Sequence, residues 1–332
     1  LVVRKIHVET FLKYLGTGIT QPALVIGDDY KKYILKTQKV VEKGTTSFYD
    51  CMFINELLAY QIASHLEVPV PEAAVAYLDQ RIINNDPVIQ FAHRFYEGEL
   101  FASLELKNKE DNLVENYVEM INQGKKYLNK TWKSFFNNIT NSQDIVKIIA
   151  FDLLIANFDR YNNNGNLLVA NDNGERKVFT IDHGHAFFGP IWETSKINAM
   201  RSVSDDLSGY IDPTVDLILN GNAWFGNGLG EVFHALESNI NLKNLNDNPF
   251  KEVVSIIECI TEELIDEWFS NIPQSWFNSV DEKVIISYYK SFILKQKNVV
   301  RHLIQRLAHR RAFTNYLGGA LTWQIDKSAG TV

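Results

Sequence analysis

Two acidic residues and a run of asparagines, arranged around one hairpin, are the part of this chain whose types and spacing could do chemistry. Asp159-Arg160-Tyr161 leads into Asn162-Asn163-Asn164-Gly165-Asn166, and an apolar run, Leu167-Leu168-Val169-Ala170, follows. After the turn signal Asn171-Asp172-Asn173-Gly174, a second run, Lys177-Val178-Phe179-Thr180-Ile181, ends at Asp182-His183-Gly184. The pattern predicts helix, polar loop, strand, turn and strand, which brings both carboxylates and an amide side chain to one mouth of the hairpin. Phosphoryl transfer uses that trio: one carboxylate orients the nucleophile, and an Asn with a second Asp holds magnesium on the phosphates. Either half alone is ordinary turn chemistry; both halves, in this order and joined by a short hairpin, single the stretch out. An Asp that ends an apolar strand is also costly to bury without a positive partner, and a metal ion is the simplest one.

Such chemistry needs a cation near the phosphates and a group to hold it. Lys36 ends the strand-like run Tyr33-Ile34-Leu35, from which a long side chain can reach into a cleft, and Glu56 lies near the start of the next helix. Taken singly, Lys36 is a strand-end lysine among Lys31, Lys32 and Lys39, and Glu56 a surface helix residue. The order of strand lysine, helix glutamate, first Asp and second Asp raises both above that background. Upstream, Gly16-Thr17-Gly18-Ile19-Thr20 could bring backbone N–H groups to phosphate, since glycines permit close approach and adjacent amides form an anion-binding nest. Two glycines fit an ordinary loop equally well.

The elements that must position these residues are partly legible. Ala23 to Ile26 and Tyr33 to Leu35 flank the hairpin turn signal Gly27-Asp28-Asp29. Ile54, Leu57, Leu58, Ile62 and Leu66 recur at helical spacing, and Val68-Pro69-Val70-Pro71 ends that helix. Val75 to Leu78 and Val88 to Phe91 are expected as strands on either side of a turn at Asn84-Asn85-Asp86-Pro87. From about residue 110 the pattern turns helical. The nearly all-apolar run from Ile145 to Ile155 is expected as a buried spine, with further helices over 250–270 and 283–316. Asn220 to Gly230 reads as a loop.

These blocks resemble the HipA-like kinase family and, more distantly, the phosphatidylinositol kinases. The resemblance rests on Gly16 to Pro22 with Ala23-Leu24-Val25, on Tyr33 to Lys36, on Asn55-Glu56-Leu57-Leu58-Ala59-Tyr60 through Pro71, and on Asn157 to Val169 with Ile181-Asp182-His183-Gly184. It covers the first 190 residues, and the later helices match only in general character. It implies an α+β, two-lobed protein-kinase-like fold, with a small sheet-rich N-lobe over 1–100 and a large helical C-lobe over 101–332. The implied activity is ATP- and Mg2+-dependent transfer of the γ-phosphate to a hydroxyl, with protein serine or threonine favoured as acceptor. Lys36 would contact the phosphates with Glu56 as its anchor, alongside the loop residues Gly16, Thr17, Gly18 and Thr20. Asp159 would be the catalytic base and Asp182 the principal metal ligand. Asn164 stands at the usual kinase interval after Asp159, whereas Asn166 directly precedes the strand, so both are candidate magnesium ligands. His183 replaces the Phe that follows the metal Asp in protein kinases, and Tyr161 stands where lipid kinases often have His. Those departures keep a second class open, a nucleotide-binding pseudokinase or regulator, beside a kinase of lipid or small-molecule hydroxyls.

Composition narrows the rest. The 332 residues are 45% hydrophobic and 12% aromatic, enough for a large core and unlike extended disorder. A formal net charge of -7 offers no general attraction to nucleic acid or anionic membrane. No apolar run approaches the roughly 18 residues of a membrane span, and the start lacks a signal-peptide core, so a cytoplasmic protein is expected. Cys51 and Cys259 fit no metal or redox spacing and are expected to be buried or inert thiols. His183 and His185 lack a further ligand at zinc spacing, and Ser134 and Ser142 lack a nucleophile elbow. Arg301, Arg306, Arg310 and Arg311, with His302 and His309, form a basic helical patch whose partner could be an acidic protein.

Overall fold

Ile6 and Val8 are buried while Lys5, His7 and Glu9 are exposed, the alternation of a strand with one face on a core. Register shifts at Val8/Thr10 and Phe11/Lys13 break the period, so Phe11 is the next buried side chain. This strand, β1 (Arg4–Tyr14), precedes the first strand that the apolar pattern predicts. The structure, a computed structural model, describes residues 2–15, 21–42, 44–92, 94–110, 124, 128–162, 166–220, 228–277 and 281–324. The candidate phosphate-loop residues Gly16, Thr17, Gly18 and Thr20 and the candidate metal ligand Asn164 lie outside them.

With β2 (Ala23–Gly27), β3 (Lys32–Leu35), β6 (Ala73–Leu78) and β7 (Gly98–Leu104), β1 closes a barrel in the order β1-β2-β3-β7-β6. β1 and β6 run parallel and every other neighbouring pair antiparallel. β4 (Lys39–Glu42) and β5 (Thr45–Phe48) form a separate hairpin between Lys36 and the first helix. Val88 to Phe91 is helical, not extended. Asp79 caps α2 (Gln80–Asn85), and the Asp86 carboxylate accepts from the Val88 and Ile89 N–H groups at 2.9 and 3.2 Å, with Pro87 opening α3 (Pro87–Ala92). An acidic cap followed by Pro at the first helical position outweighs the β-propensity of the apolar residues behind it.

α1 (Met52–His65) is buried on every face, and Asn55, Glu56 and Gln61 are as inaccessible as its leucines. A helix apolar all round belongs in the middle of a core, so each polar side chain on it needs a partner. Gln61 donates to the Trp268 carbonyl at 2.9 Å and accepts from Asn271, and Phe53 packs against Trp276 with ring centroids 5.2 Å apart. α1 also packs on β7, so it is joined both to the sheet-rich N-terminal region and to the helical C-terminal region.

The C-terminal region comprises α4 (Leu128–Phe135), α5 (Ile145–Leu154), the single turn α6 (Asp159–Asn162), the hairpin β8 (Leu167–Asp172) and β9 (Glu175–Thr180), and then α7 (Thr194–Arg201), a π-helical turn (Leu207–Ile211), α8 (Asp212–Asn220), α9 (Glu231–Leu236), α10 (Lys251–Glu258), α11 (Glu262–Ser270) and α12 (Glu282–His309). α5 is the expected buried spine. The 28-residue α12 packs on α5, α7, α8, α10 and α11. Its arginines find acidic partners inside the chain: Arg301 bonds Glu258, Arg306 bonds Asp212 and Arg310 bonds Asp216. Arg311, the fourth arginine of that patch, is exposed. Cys51 is buried, but Cys259 is exposed, so burial holds for one of the two thiols only. Among the described residues no helix is long and apolar enough to cross a membrane.

The packing of α1 gives a direct test. Phe53→Ala should destabilise the protein by about 3–5 kcal/mol, read from the shift in guanidinium midpoint, and a loss under about 1 kcal/mol would contradict the buried placement of this ring.

Candidate active site

Lys36 is the first residue after β3, where its backbone N–H bonds the Phe101 carbonyl of β7 at 2.9 Å. From there its ammonium bonds Glu56 of α1 and, at 2.9 Å, Oδ1 of Asp182 beyond the end of β9. Strand, helix and hairpin thus converge on one nitrogen. Burial disfavours the Lys36 charge, but the Asp182 and Glu56 carboxylates outweigh it and hold the pKa above the ordinary lysine value. Burial likewise opposes charge on Glu56, and there too Lys36 prevails, so the carboxyl titrates below its ordinary range. The pair is charged at neutral pH.

His183 completes this corner. Only 4% exposed, it packs edge-on against Phe151, with Nδ1 3.8 Å from Glu56 Oε2. Burial lowers its pKa, which favours the neutral imidazole. His185, two residues on, is exposed and packs edge-on against Tyr49, so the two histidines occupy different environments. A Cβ on Gly184 would lie 2.7 Å from Met52 Cγ and 3.3 Å from Glu56 Oε1, so α1 and the segment after Asp182 meet at a distance that only glycine allows.

The second half of the site is built around a buried ion pair. Arg160 Nε lies 2.8 and 3.1 Å from the two oxygens of Asp152 on α5, and neither side chain is exposed to solvent. Nη1 of Arg160 donates to the carbonyl of Asn166, where β8 begins, and at 3.1 Å to that of Ile181, where β9 has just ended. Asn157 donates to Asp152 at 3.2 Å. One guanidinium therefore fixes the turn that carries Asp159, the entry to β8 and the approach to Asp182. Burial pushes the Asp152 carboxyl up to about 6 in spite of Arg160, so above that pH it is ionised and the pair is complete. Arg160 stands in the Asp159-Arg160 motif without an assigned role, and Asp152 was not among the residues expected to form the site. An acid inside the apolar run from Ile145 to Ile155 was the available signal, because such a charge demands a buried counter-ion.

Asp159 opens α6, and its Oδ2 accepts from the Asn166 amide at 3.0 Å. Asn166, one of the two alternatives with Asn164 for the magnesium asparagine, is 3% exposed and donates an amide N–H to Asp159. Its side-chain oxygen remains chemically able to bind a cation. Tyr161 is buried against Phe233, with ring centroids 4.8 Å apart, and serves as core.

Lys36, Glu56, Asp182 and His183 line a cleft of about 440 Å³ between the sheet and the β8–β9 hairpin. Its walls are largely apolar, with Leu15, Ile34, Phe101, Leu104, Leu168 and Ile181 around the charged end. A concave apolar slot with a few convergent charges is the usual form of a small-molecule site. Among the described residues no group of three or more His, Cys, Asp or Glu side chains is placed to hold a metal. The Asp182 side chain, 45% exposed at the charged end of the cleft, is able to offer an oxygen to a hard cation whose shell is completed by phosphate and water.

No family model matches the sequence, and a search of curated proteins returns no match. Solved structures do match. The chain is similar to the Helicobacter pylori proinflammatory kinase CtkA, at 14% identity over 96% of this chain and 100% of that one, with a TM-score of 0.50. It is also similar to Shewanella oneidensis HipA in its complex with HipB and operator DNA, at 14% identity over 87% of this chain and 67% of that one and a TM-score of 0.42. The Golgi casein kinase with Mn and ADP bound matches at 11% identity, over 97% and 76% of the two chains, with a TM-score of 0.41. The likeness to CtkA defines the class: a protein-kinase-like fold.

The Arg160–Asp152 pair carries a prediction. Arg160→Met should cost about 3–5 kcal/mol in denaturant unfolding, because it strands a buried carboxylate. Adding Asp152→Asn should recover part of that loss. Additive losses in the double variant would contradict a direct pairing.

Proposed function

We propose that the chain is an ATP- and magnesium-dependent kinase of HipA-like, two-lobed architecture, transferring the γ-phosphate to a hydroxyl, with protein serine or threonine as acceptor. The observation that carries this is the bonding of one buried lysine to both Glu56 and Asp182 at the charged end of an apolar cleft. The shared fold of a kinase of known structure supports the same class of reaction.

In this reading the apolar walls take the adenine ring, and Lys36 presents its ammonium to the phosphates while Glu56 holds it in place. Gly16, Thr17, Gly18 and Thr20 supply further backbone and hydroxyl contacts to phosphate. Asp182, with Asn164 or Asn166, would hold magnesium. When bound, that ion neutralises charge developing on the transferred phosphoryl group. Asp159 orients the acceptor hydroxyl and takes its proton. The Asn166 N–H on Oδ2 fixes the rotation of this carboxylate and leaves Oδ1 for the acceptor. Lys36 would present its ammonium to the phosphates and Asp182 its carboxylate to the metal, from neighbouring positions at the same end of the cleft.

Two substitutions separate binding from chemistry. Asp159→Asn should keep ATP affinity near normal and lower phosphoryl transfer by at least about a hundredfold, with autophosphorylation as readout where no acceptor is at hand. Asp182→Asn should abolish the magnesium dependence of ATP binding. A parent protein that binds ATP yet labels nothing, with Asp159→Asn indistinguishable from it, would instead identify a nucleotide-binding regulator.

A further inference from the structure

The segment after Asp182 is held in a conformation its residues do not favour. Asp182, Phe187 and Phe188 have φ of 60°, 54° and 64°, in the left-handed region, and Gly189 has φ of 120°. Bulky aromatic residues rarely adopt that backbone, and such strain persists only where the surroundings over-determine it.

The surroundings here are a buried polar knot that the proposed chemistry does not use. The side-chain nitrogen of Asn55 lies 2.7, 2.9 and 3.0 Å from the carbonyl oxygens of Gly184, Ala186 and Gly189. Its side-chain oxygen accepts from the Tyr289 hydroxyl of α12 at 2.5 Å. Carbonyls only accept and the hydroxyl can donate, so the amide has one workable orientation. Lys196, 1% exposed, donates to the same Gly189 carbonyl at 2.6 Å and sits 5.0 Å from the centre of the Tyr289 ring. The Cys51 N–H bonds the Pro190 carbonyl at 2.8 Å, and Phe187 packs on Tyr289. Asn55 precedes Glu56 on the same rigid helix. The element that holds Lys36 through Glu56 therefore also holds the turn that begins at Asp182.

We propose that Asn55 is a positioning residue, seated by Tyr289 and assisted by Lys196, which clamps the 184–189 turn so that Asp182 faces Lys36. This inference rests on Asp182 being the metal ligand of the proposed kinase site, though the clamp itself is a property of the chain. Its consequence is a site whose metal carboxylate is set by internal hydrogen bonds. The aromatic side chain that follows the metal Asp in protein kinases is here His183, buried beside Glu56.

The test uses the full chain and three variants. Asn55→Ala removes the clamp, Tyr289→Phe removes only the hydroxyl that orients it, and Asn248→Ala deletes a buried amide that serves Phe250, Leu245 and Thr322 elsewhere. Hydrogen exchange over residues 183–190 should accelerate at least about tenfold in Asn55→Ala, and more than in Asn248→Ala at equal loss of melting temperature. The magnesium concentration for half-maximal ATP binding should rise about 10- to 100-fold in Asn55→Ala, the usual cost of losing a group that orients a metal ligand. Tyr289→Phe should move both readings the same way by a smaller factor, and it remains informative if Asn55→Ala does not fold. Unchanged exchange in the segment, or exchange no faster than in the Asn248→Ala control, would overturn the clamp whatever the activity. Faster exchange with unchanged magnesium dependence would overturn its role towards Asp182. A parent protein with no magnesium-dependent ATP binding would refute the kinase reading, and the exchange data would still decide the clamp.

Discussion

A guanidinium buried without solvent contact must find its partners inside the protein, and the partners Arg160 finds determine the shape of the site. The carboxylate of Asp152 supplies the counter-charge, and the carbonyls of Asn166 and Ile181 absorb further N–H groups. Arginine suits the position because its planar fork serves several acceptors at once, which a lysine ammonium in the same place would do less rigidly. Desolvating both charges is expensive, and replacing such a pair with apolar residues is often neutral or stabilising. What the pair provides here is register: α5, the entry to β8 and the end of β9, all within residues 152–181, are brought to one point, with Asp159 beside it on the same turn.

The other organising element is α1. Burial on every face turns each of its polar side chains into an obligation, and neighbouring positions discharge it in different directions because a helix turns about 100° per residue. Glu56 meets Lys36 and His183, Asn55 meets the carbonyls after Asp182, and Gln61 meets Trp268 and Asn271. Polar residues on an apolar helix thus record where other parts of the chain must come. The two halves of the cleft share this single rigid support, so a shift of α1 would move Lys36 and Asp182 together.

Much of this was legible in the sequence, and the failures have physical causes. β2, β3, β6, α1, α5 and the β8–β9 hairpin follow apolar periodicity and turn residues at the expected places. Lys36 and Glu56, raised above background by their order in the chain, and Asp182, marked by the hairpin, meet at the Lys36 ammonium. β1 was hidden because charged residues interleave its apolar ones and two bulges break the alternation. Val88 to Phe91 misled because β-branched residues suggest a strand, whereas the cap on Asp86 decides for helix. The basic face of α12 gave no hint that Asp212, Asp216 and Glu258 would fold against it. Asp152 and Asn55 show the general difficulty. A polar residue in an apolar run announces that it needs a partner, but nothing in one dimension says which carbonyl or cation will arrive.

The measurement closest to the central claim is a crystal structure of the full chain soaked with magnesium and a non-hydrolysable ATP analogue. The triphosphate should lie between Lys36 and Asp182, with the base against Ile34, Phe101 and Leu168 and a metal on the Asp182 carboxylate. Nucleotide bound elsewhere, for example in the larger cavity of about 750 Å³ beside His7, Tyr77 and Arg81, with the Lys36–Asp182 contact intact, would contradict it.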